Sequence, residues 1–220
     1  MVLIAYRYVL DQSFQDSYNP SGYASQFMAG KKQFVPEEAL SKAMESFWCH
    51  GYDATSVQDL VKTMGINRGS LYDTFGDKHA LFLASLDHYN QTVLSTLLAQ
   101  LEAPSAAKSA IVACIQGIVE HALNDPLQKG CLITNTAVEL AAQDPEVIGR
   151  VQSGLSRVEA GFYRALTQAR QKGELGYQGD LRPLAQFLTS SLQGLRVMAK
   201  ANPDPALLQG IATVILATLG

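Results

Sequence analysis

The sequence is poor in cysteine, in long apolar runs and in positive charge. Its three cysteines, Cys49, Cys114 and Cys131, are far apart and form no CxxC pair, so we expect neither a disulfide framework nor a thiolate zinc site. The nearest candidate for a membrane span, residues 2–10, contains Arg7 and is about half the ~20 residues that a spanning helix needs. Since this stretch also has no basic flank and no cleavage site of a secretory signal, we expect a cytoplasmic protein with no membrane partner.

The charge balance excludes one class of nucleic-acid-binding protein. A formal net charge of -3 argues against a protein that coats nucleic acid through bulk positive charge, although a few cations at one small surface remain compatible with it. With 47% hydrophobic and 17% charged residues, the chain has enough apolar material for a sizeable core, which excludes disorder as its main state.

Residues 1–27 differ from the rest because they are polar and carry no helical stripe. We interpret them as a disordered arm or a misassigned start, with Met28 as the alternative first residue. A DNA-binding arm is the competing interpretation, but Arg7 is its only cation before Lys31, whereas such arms are rich in Arg and Lys.

From Pro36 onward the spacing of apolar residues predicts one helix after another, and no segment alternates for long enough to require a sheet. The first helix ends at Gly51, and a short second helix, capped by Thr55 or Ser56, ends at Gly65. A third begins near Asn67. The inward residues of these three helices are Leu40, Ala43, Met44, Phe47, Trp48, Val57, Leu60, Val61, Met64, Leu71 and Phe75. Two short helices joined by a glycine-containing turn indicate a helix-turn-helix.

The segment from Thr55 to Lys78 resembles the DNA-binding domain of TetR-type transcriptional regulators. The family core, Gly-x5-Leu-Tyr-x2-Phe-x2-Lys, is matched by Gly65, Leu71, Tyr72, Phe75 and Lys78, within a resemblance that covers residues 34–86. Asp73 departs from the pattern, since the family often has an aromatic residue or His there.

The resemblance implies an all-α protein with two parts. Residues 28–80 would form a three-helix DNA-binding domain, and residues 81–220 a larger helical domain for ligand binding and dimerisation. It also implies a non-enzymatic regulator without a cofactor, most often a repressor, that binds a palindromic operator in double-stranded DNA as a homodimer and is released by a small-molecule effector.

Outward polar residues around the third helix are the candidates for DNA contact. Arg68 is suited to a two-pronged contact with guanine and Asn67 to one with adenine, while hydroxyls and Lys78 suit phosphate oxygens. The predicted DNA-binding residues are Thr55, Ser56, Gln58, Asn67, Arg68, Ser70, Tyr72, Thr74 and Lys78. Residues 28–80 contain six cations and seven anions, so we expect weak non-specific affinity and dependence on a defined operator. A solvated polar face is the alternative for any one of these residues.

Apolar stripes mark the last two helices. The predicted dimer interface, implied by the resemblance, comprises Leu184, Leu188, Leu195, Met198, Leu207, Ile211, Val214 and Ile215. Packing within one subunit is the alternative, because both kinds of seam look alike in sequence.

Family resemblance also places an effector cavity among the middle helices. The predicted lining or sensing residues are Cys131, His88, Tyr89, His121, Asn135, Phe162 and Tyr163. The segment Lys129–Thr136, with its Gly-Cys-Leu motif, resembles a branch of the family in which some members respond to electrophiles or oxidants at this cysteine. A position in the first turn of a helix and the nearby Lys129 favour a reactive thiol, and a buried inert thiol is the alternative.

An enzyme is the principal alternative to a regulator. Its best case pairs a Cys131 nucleophile with His121, but no third residue is evident to orient the imidazole. Metal-binding spacing is also missing, since Cys49 and His50 are adjacent and His79 and His88 are nine residues apart. We therefore expect no catalytic residues and no metal.

Overall fold

The computed structural model describes residues 34–140 and 142–220, and in them it contains ten helical segments and no strand. In chain order the helices are α1 (Pro36–His50), α2 (Val57–Met64), α3 (Arg68–Phe75), α4 (Lys78–Gln91), α5 (Val93–Glu102), α6 (Lys108–Asn124), α7 (Leu132–Leu140), α8 (Pro145–Gln171), α9 (Leu181–Ala201) and α10 (Pro205–Ala217). Only Thr92 separates α4 from α5, so the two can be counted as one interrupted helix, which gives nine. The predicted all-α fold is confirmed for this part of the chain.

Local sequence signals explain where the short N-terminal helices begin and end. Ser56, not Thr55, caps α2, and it forms a reciprocal capping box with Asp59. Gly65 ends α2 in the left-handed region at φ +72°, a conformation that glycine adopts without a steric penalty. Asn67 caps α3. The turn between α2 and α3 is therefore specified by its own residues.

Aromatic side chains hold the N-terminal helices on α4. Phe47 of α1 packs edge-to-face on Phe82 with ring centroids 4.9 Å apart, and Trp48 packs in the same manner on Tyr89 at 5.0 Å. All four rings are buried. This cluster fixes the orientation of α1, on which α2 and then α3 rest.

The remaining helices form a bundle in which α8 is central. It packs against α4, α5, α6, α7 and α9, while α10 packs on α6 and α9. The 27 residues of α8 bury a continuous stripe that includes Val151, Val158, Phe162 and Leu166.

Residues 36–220 fold as one compact unit. The boundary near residue 80 between the two expected domains stays a prediction, and the expected arm, residues 1–27, lies outside the described residues. No helix within 34–140 or 142–220 combines the length and apolarity that crossing a membrane requires.

Candidate nucleic-acid interface

The exposed face of α3 presents an arginine and a tyrosine one helical turn apart. Leu71 is fully buried and Phe75 is half-buried, so both anchor the helix from its inner side as predicted. On the outer side, Arg68 Nη2 donates to Tyr72 Oη at 3.2 Å, and the guanidinium carbon lies 5.6 Å from the centroid of the tyrosine ring. The pair therefore offers guanidinium N–H groups and a hydroxyl from one face of the helix.

Two side chains among the predicted DNA contacts, Asn67 and Ser56, already form hydrogen bonds at the start of a helix. Asn67 Oδ1 accepts the Ser70 N–H at 2.8 Å, so one lone pair of this oxygen is used within α3 and only the second is left for the predicted two-pronged contact with adenine. Ser56 Oγ accepts the Asp59 N–H at 3.1 Å and bonds to Asp59 Oδ2 at 2.5 Å. Hydrogen bonds from Ser56 lower the pKa of the Asp59 carboxyl. Asn67 and Ser56 are thus first of all helix caps.

Thr55 does not fit its predicted role. The residue is only 2% exposed, and its hydroxyl donates to the Gly51 carbonyl at 2.6 Å, which closes the turn after α1. A phosphate oxygen has no access to it. We therefore remove Thr55 from the set of DNA-contacting residues.

The other predicted DNA contacts differ in exposure. Gln58 is exposed, whereas Ser70 and Thr74 are half-buried. Lys78 is also half-buried, and its Nζ lies 4.2 Å from the centroid of the Tyr52 ring. This cation–π contact holds the lysine beside the turn between α1 and α2.

A carboxylate from the bundle binds that same turn. Glu139 of α7 accepts the Tyr52 N–H at 3.0 Å and the Asp53 N–H at 2.8 Å, one on each carboxylate oxygen. Gly51, at φ +84°, makes room for it, because a Cβ there would lie 2.8 Å from Glu139 Oε2. We call this contact the Glu139 clasp. It joins the helix-turn-helix to α7, and sequence reasoning missed it.

Cys131 is buried immediately before α7, where its carbonyl accepts the Asn135 N–H. The Tyr89 hydroxyl donates to its Sγ at 3.7 Å. Burial acts to raise the pKa of the Cys131 thiol, but the Arg196 charge and hydrogen bonds from Thr134 and Tyr89 outweigh burial, so the pKa lies below its ordinary value. This favours thiolate formation.

Arg196, not Lys129, supplies the charge that acts on Cys131. Lys129 Nζ pairs with Glu45 at 2.9 Å and lies 4.3 Å from the Trp48 ring centroid. Arg196 is buried on the face of α9 that also carries Leu188 and Leu192. Arg196 follows Leu192 by four residues and Leu188 by eight, so it shares their face of the helix. This spacing could have identified Arg196 as a buried charge from the sequence.

The predicted effector residues do not line one cavity. Cys131 and Asn135 line a groove of about 370 Å³ between α1, α7 and α9, and His121 lines a separate cavity of about 20 Å³. His88 bonds to Ser41 Oγ at 2.8 Å, and Tyr163 stacks with the Arg182 guanidinium at 4.1 Å. Tyr89 and Phe162 are fully buried in the core. A further groove of about 480 Å³ lies between α7, α8 and α9, and none of the seven predicted residues lines it. The effector cavity among the middle helices therefore stays a prediction.

Half of the predicted dimer-interface residues belong to the core of the subunit. Leu184, Leu188, Leu195 and Ile215 are buried against the subunit's own helices, so their stripe serves packing within the bundle. Met198 and Val214 are exposed, as a place in an interface requires, while Leu207 and Ile211 are half-buried. The dimer interface itself stays a prediction. Phe187 and Val197 of α9 are also exposed, and sequence reasoning missed both.

A helix-turn-helix with an exposed polar third helix, fixed to a larger helical bundle, defines a DNA-binding regulator. Two family models match the chain: "Bacterial regulatory proteins, tetR family" over residues 39–85 and "Tetracyclin repressor-like, C-terminal domain" over residues 107–215. The chain belongs to the TetR family of transcriptional regulators, which confirms the expected family and identifies a regulator, not an enzyme.

Relatives of this chain include named regulators. An uncharacterized HTH-type transcriptional regulator of Bacillus subtilis, YezE, is 38% identical over 194 residues, which cover 87% of this chain and all of YezE. The HTH-type transcriptional repressor ComR of Escherichia coli is 31% identical over 186 residues, 84% of this chain and 89% of ComR. A cysteine mutant of the TetR family regulator CifR, solved with 26-base-pair operator DNA, is 26% identical with a TM-score of 0.75, covering 87% of this chain and all of that one.

Proposed function

We propose that this protein is a repressor that binds a palindromic operator as a homodimer and leaves it when an effector acts at the groove beside Cys131. The observation that carries the DNA-binding part is the Arg68–Tyr72 pair on the exposed side of a helix whose inner side is anchored by Leu71. The names of two similar proteins support it, since ComR is a repressor and CifR was solved on operator DNA.

Recognition of the operator bases in this proposal depends on Arg68 more than on any other residue. A guanidinium presents paired N–H groups that match guanine O6 and N7 in the major groove, and such a contact discriminates by about 1–3 kcal/mol. Tyr72, its hydrogen-bond partner, and Gln58 of α2 are exposed as well and suit phosphate or base-edge contacts.

Dimerisation in this proposal uses the exposed apolar face of α9 and α10, which we define as Phe187, Met198 and Val214, whereas the exposed Val197 lines the groove beside Cys131. Large apolar side chains that are left exposed on two adjacent helices favour burial against a second copy. Two copies would hold their recognition helices roughly 34–36 Å apart, the spacing of successive major grooves on one side of DNA.

The effector response in this proposal begins at Cys131. The Cys131 thiolate attacks an electrophilic carbon: the sulfur lone pair forms the new C–S bond, and the electron pair of the bond broken at that carbon departs with the leaving group. The Gly-Cys-Leu resemblance and the lowered pKa of the Cys131 thiol support this chemistry. Glu139 lies on the helix that follows Cys131 and holds the turn before α2, so a shift of α7 would reach the helix-turn-helix directly.

Selection of bound DNA from a random pool tests the proposal. We expect enrichment of a palindrome with half-sites about 10 base pairs apart. In a mobility-shift assay on that site, Arg68→Ala should weaken binding by about 5- to 150-fold, the equivalent of the ~1–3 kcal/mol of one two-pronged base contact. Arg164→Ala, at an exposed arginine of α8, is the control and should leave affinity unchanged. Failure to enrich any sequence, or equal affinity of Arg68→Ala and the parent protein, would refute the DNA-binding assignment.

A further inference from the structure

The groove between α1, α7 and α9 has features of a ligand site that its thiol alone does not explain. Its volume of about 370 Å³ lies within the range of small-molecule pockets. Its walls come from the end of α1, from Cys131, Asn135 and Glu139 along one side of α7, and from Arg196 and Lys200 near the end of α9.

The groove is rich in hydrogen-bond donors. Trp48 forms part of its wall and is 95% buried, and the indole Nε1–H has no hydrogen-bond partner among the residues that the structure describes. A buried donor without an acceptor is destabilising, so an occupant that brings an oxygen acceptor to this wall would be favoured.

The charges of the groove point in the same direction. Lys200 adds an exposed cation to the wall, in addition to the Arg196 guanidinium, whose charge also acts on Cys131. The one carboxylate in the wall, Glu139, already accepts two backbone N–H groups. Val138 and Val197 supply exposed apolar surface in the same wall, whereas the Trp48 ring carries the Lys129 ammonium on one face. A ligand with one anionic end and one apolar end matches this arrangement.

We propose that this groove binds a small organic carboxylate with an aromatic or branched apolar part, and that its binding weakens the Glu139 clasp. The regulatory half of this proposal, the weakening of the Glu139 clasp, rests on the proposed function, whereas the binding half, the carboxylate site itself, does not. A carboxylate held by Arg196 and Lys200 adds negative charge to the groove that Glu139 shares, and like charges at close range repel. The Glu139 clasp would then loosen its hold on Tyr52 and Asp53.

Trp48 makes binding directly observable because it is the only tryptophan of the chain. We would titrate the full-length protein with 3-phenylpropanoate and, separately, with the neutral 3-phenylpropanamide, and follow tryptophan fluorescence. Saturable binding of the carboxylate, with a Kd about tenfold or more below that of the amide, is expected from a charge-assisted contact of about 1.5–3 kcal/mol. Equal Kd values for the two probes, or no saturable change with either, would overturn the site.

Three variants locate the binding. Lys200→Gln removes an exposed cation of the groove and should raise the Kd of 3-phenylpropanoate about threefold or more, whereas Lys42→Gln, at an exposed lysine of α1 outside the lining, should not change it. Glu139→Gln removes the like charge and should lower the Kd. If Lys200→Gln and Lys42→Gln bind the probe equally, the site is not this groove.

The regulatory half is tested on the selected operator. The probe should weaken operator binding of the parent protein, and this effect should disappear in Glu139→Gln although the probe still binds. Binding with no change in operator affinity would overturn the coupling through Glu139. Because the fluorescence titration needs no DNA, a failure of the carboxylate site and a failure of the proposed function would be seen in different assays.

Discussion

At the scale of single residues, the contrast between Cys131 and Cys114 shows how environment sets thiol chemistry. Both thiols are almost fully buried, in the same bundle. Burial raises the pKa of Cys114 to about 12, because the Arg196 charge only partly offsets the loss of water. At Cys131 the same charge is joined by hydrogen bonds from Thr134 and Tyr89, and the pKa falls below its ordinary value. Burial alone therefore does not decide which cysteine reacts.

This difference predicts selective alkylation. Near pH 7 a lowered pKa increases the thiolate fraction of Cys131, while Cys114 stays protonated, so iodoacetamide should modify Cys131 much faster than Cys114. Arg196→Gln should raise the pKa of Cys131 and move the midpoint of its pH–rate profile to higher pH. Labelling rates resolved by peptide mass spectrometry measure both effects, with Arg164→Gln as the control. An unchanged midpoint in Arg196→Gln would show that Arg196 does not activate the thiol.

At the scale of elements, the helix-turn-helix depends on one turn that the bundle holds in place. The turn between α1 and α2 carries Gly51 at φ +84°, and the Glu139 clasp occupies the space where a side chain at Gly51 would be. The nearby Lys78 ammonium, over Tyr52, packs on the same turn. The position of α2 is therefore set in part by a residue of α7.

Gly51→Ala tests this dependence, with Gly65→Ala as a matched control. Both glycines have left-handed backbones, so alanine at either should lower the free energy of unfolding by about 1–3 kcal/mol. Only at Gly51 does the new methyl group also meet Glu139, since nothing lies within 4 Å of a Cβ at Gly65. Chemical denaturation should show a larger loss for Gly51→Ala, and the excess should shrink in a Glu139→Ala background. An equal loss for the two glycines in the parent background would exclude an energetic role for the Glu139 clasp.

At the scale of the whole molecule, the apolar face of α9 and α10 stays exposed and adds nothing to the core of one subunit. Val214 is 68% exposed although α10 is a strongly apolar helix. Because apolar surface of this kind is usually buried by association, the proposed homodimer gives it a function.

Val214→Asp should separate the two subunits of the proposed homodimer without unfolding them. A charge in the interface opposes association, whereas an exposed position costs little in folding, generally within about 0.5 kcal/mol. Sedimentation analysis should show monomers, and operator affinity should fall with them. Leu127→Asp changes a residue of similar exposure, 66%, outside this face and should leave the mass unchanged. A Val214→Asp protein with the same mass as the parent would place the interface elsewhere.

Sequence patterns predicted the structure that depends on residues close together in the chain better than the contacts between residues far apart in it. The capped helices from Pro36 to Phe75 were predictable because apolar spacing, Ser56 and Gly65 act within a few residues of one another. Two polar residues beside helix starts misled, since Thr55 and Asn67 looked free for DNA, whereas each forms a hydrogen bond with a nearby backbone group. A polar residue next to a helix start has two possible uses, and the pattern does not distinguish them.

Residue patterns alone were enough to predict an all-helical chain in the described residues, a helix-turn-helix with Arg68 on its outer face, and membership of the TetR family. The packed fold was needed to show which side of α9 and α10 is core, that Arg196 and not Lys129 acts on Cys131, and that Glu139 binds the turn before α2. The difference comes from how far apart in the chain the interacting residues lie. Helix periodicity and capping are set by neighbours within about one turn, whereas charge pairing and burial depend on helices that meet only after the chain has packed.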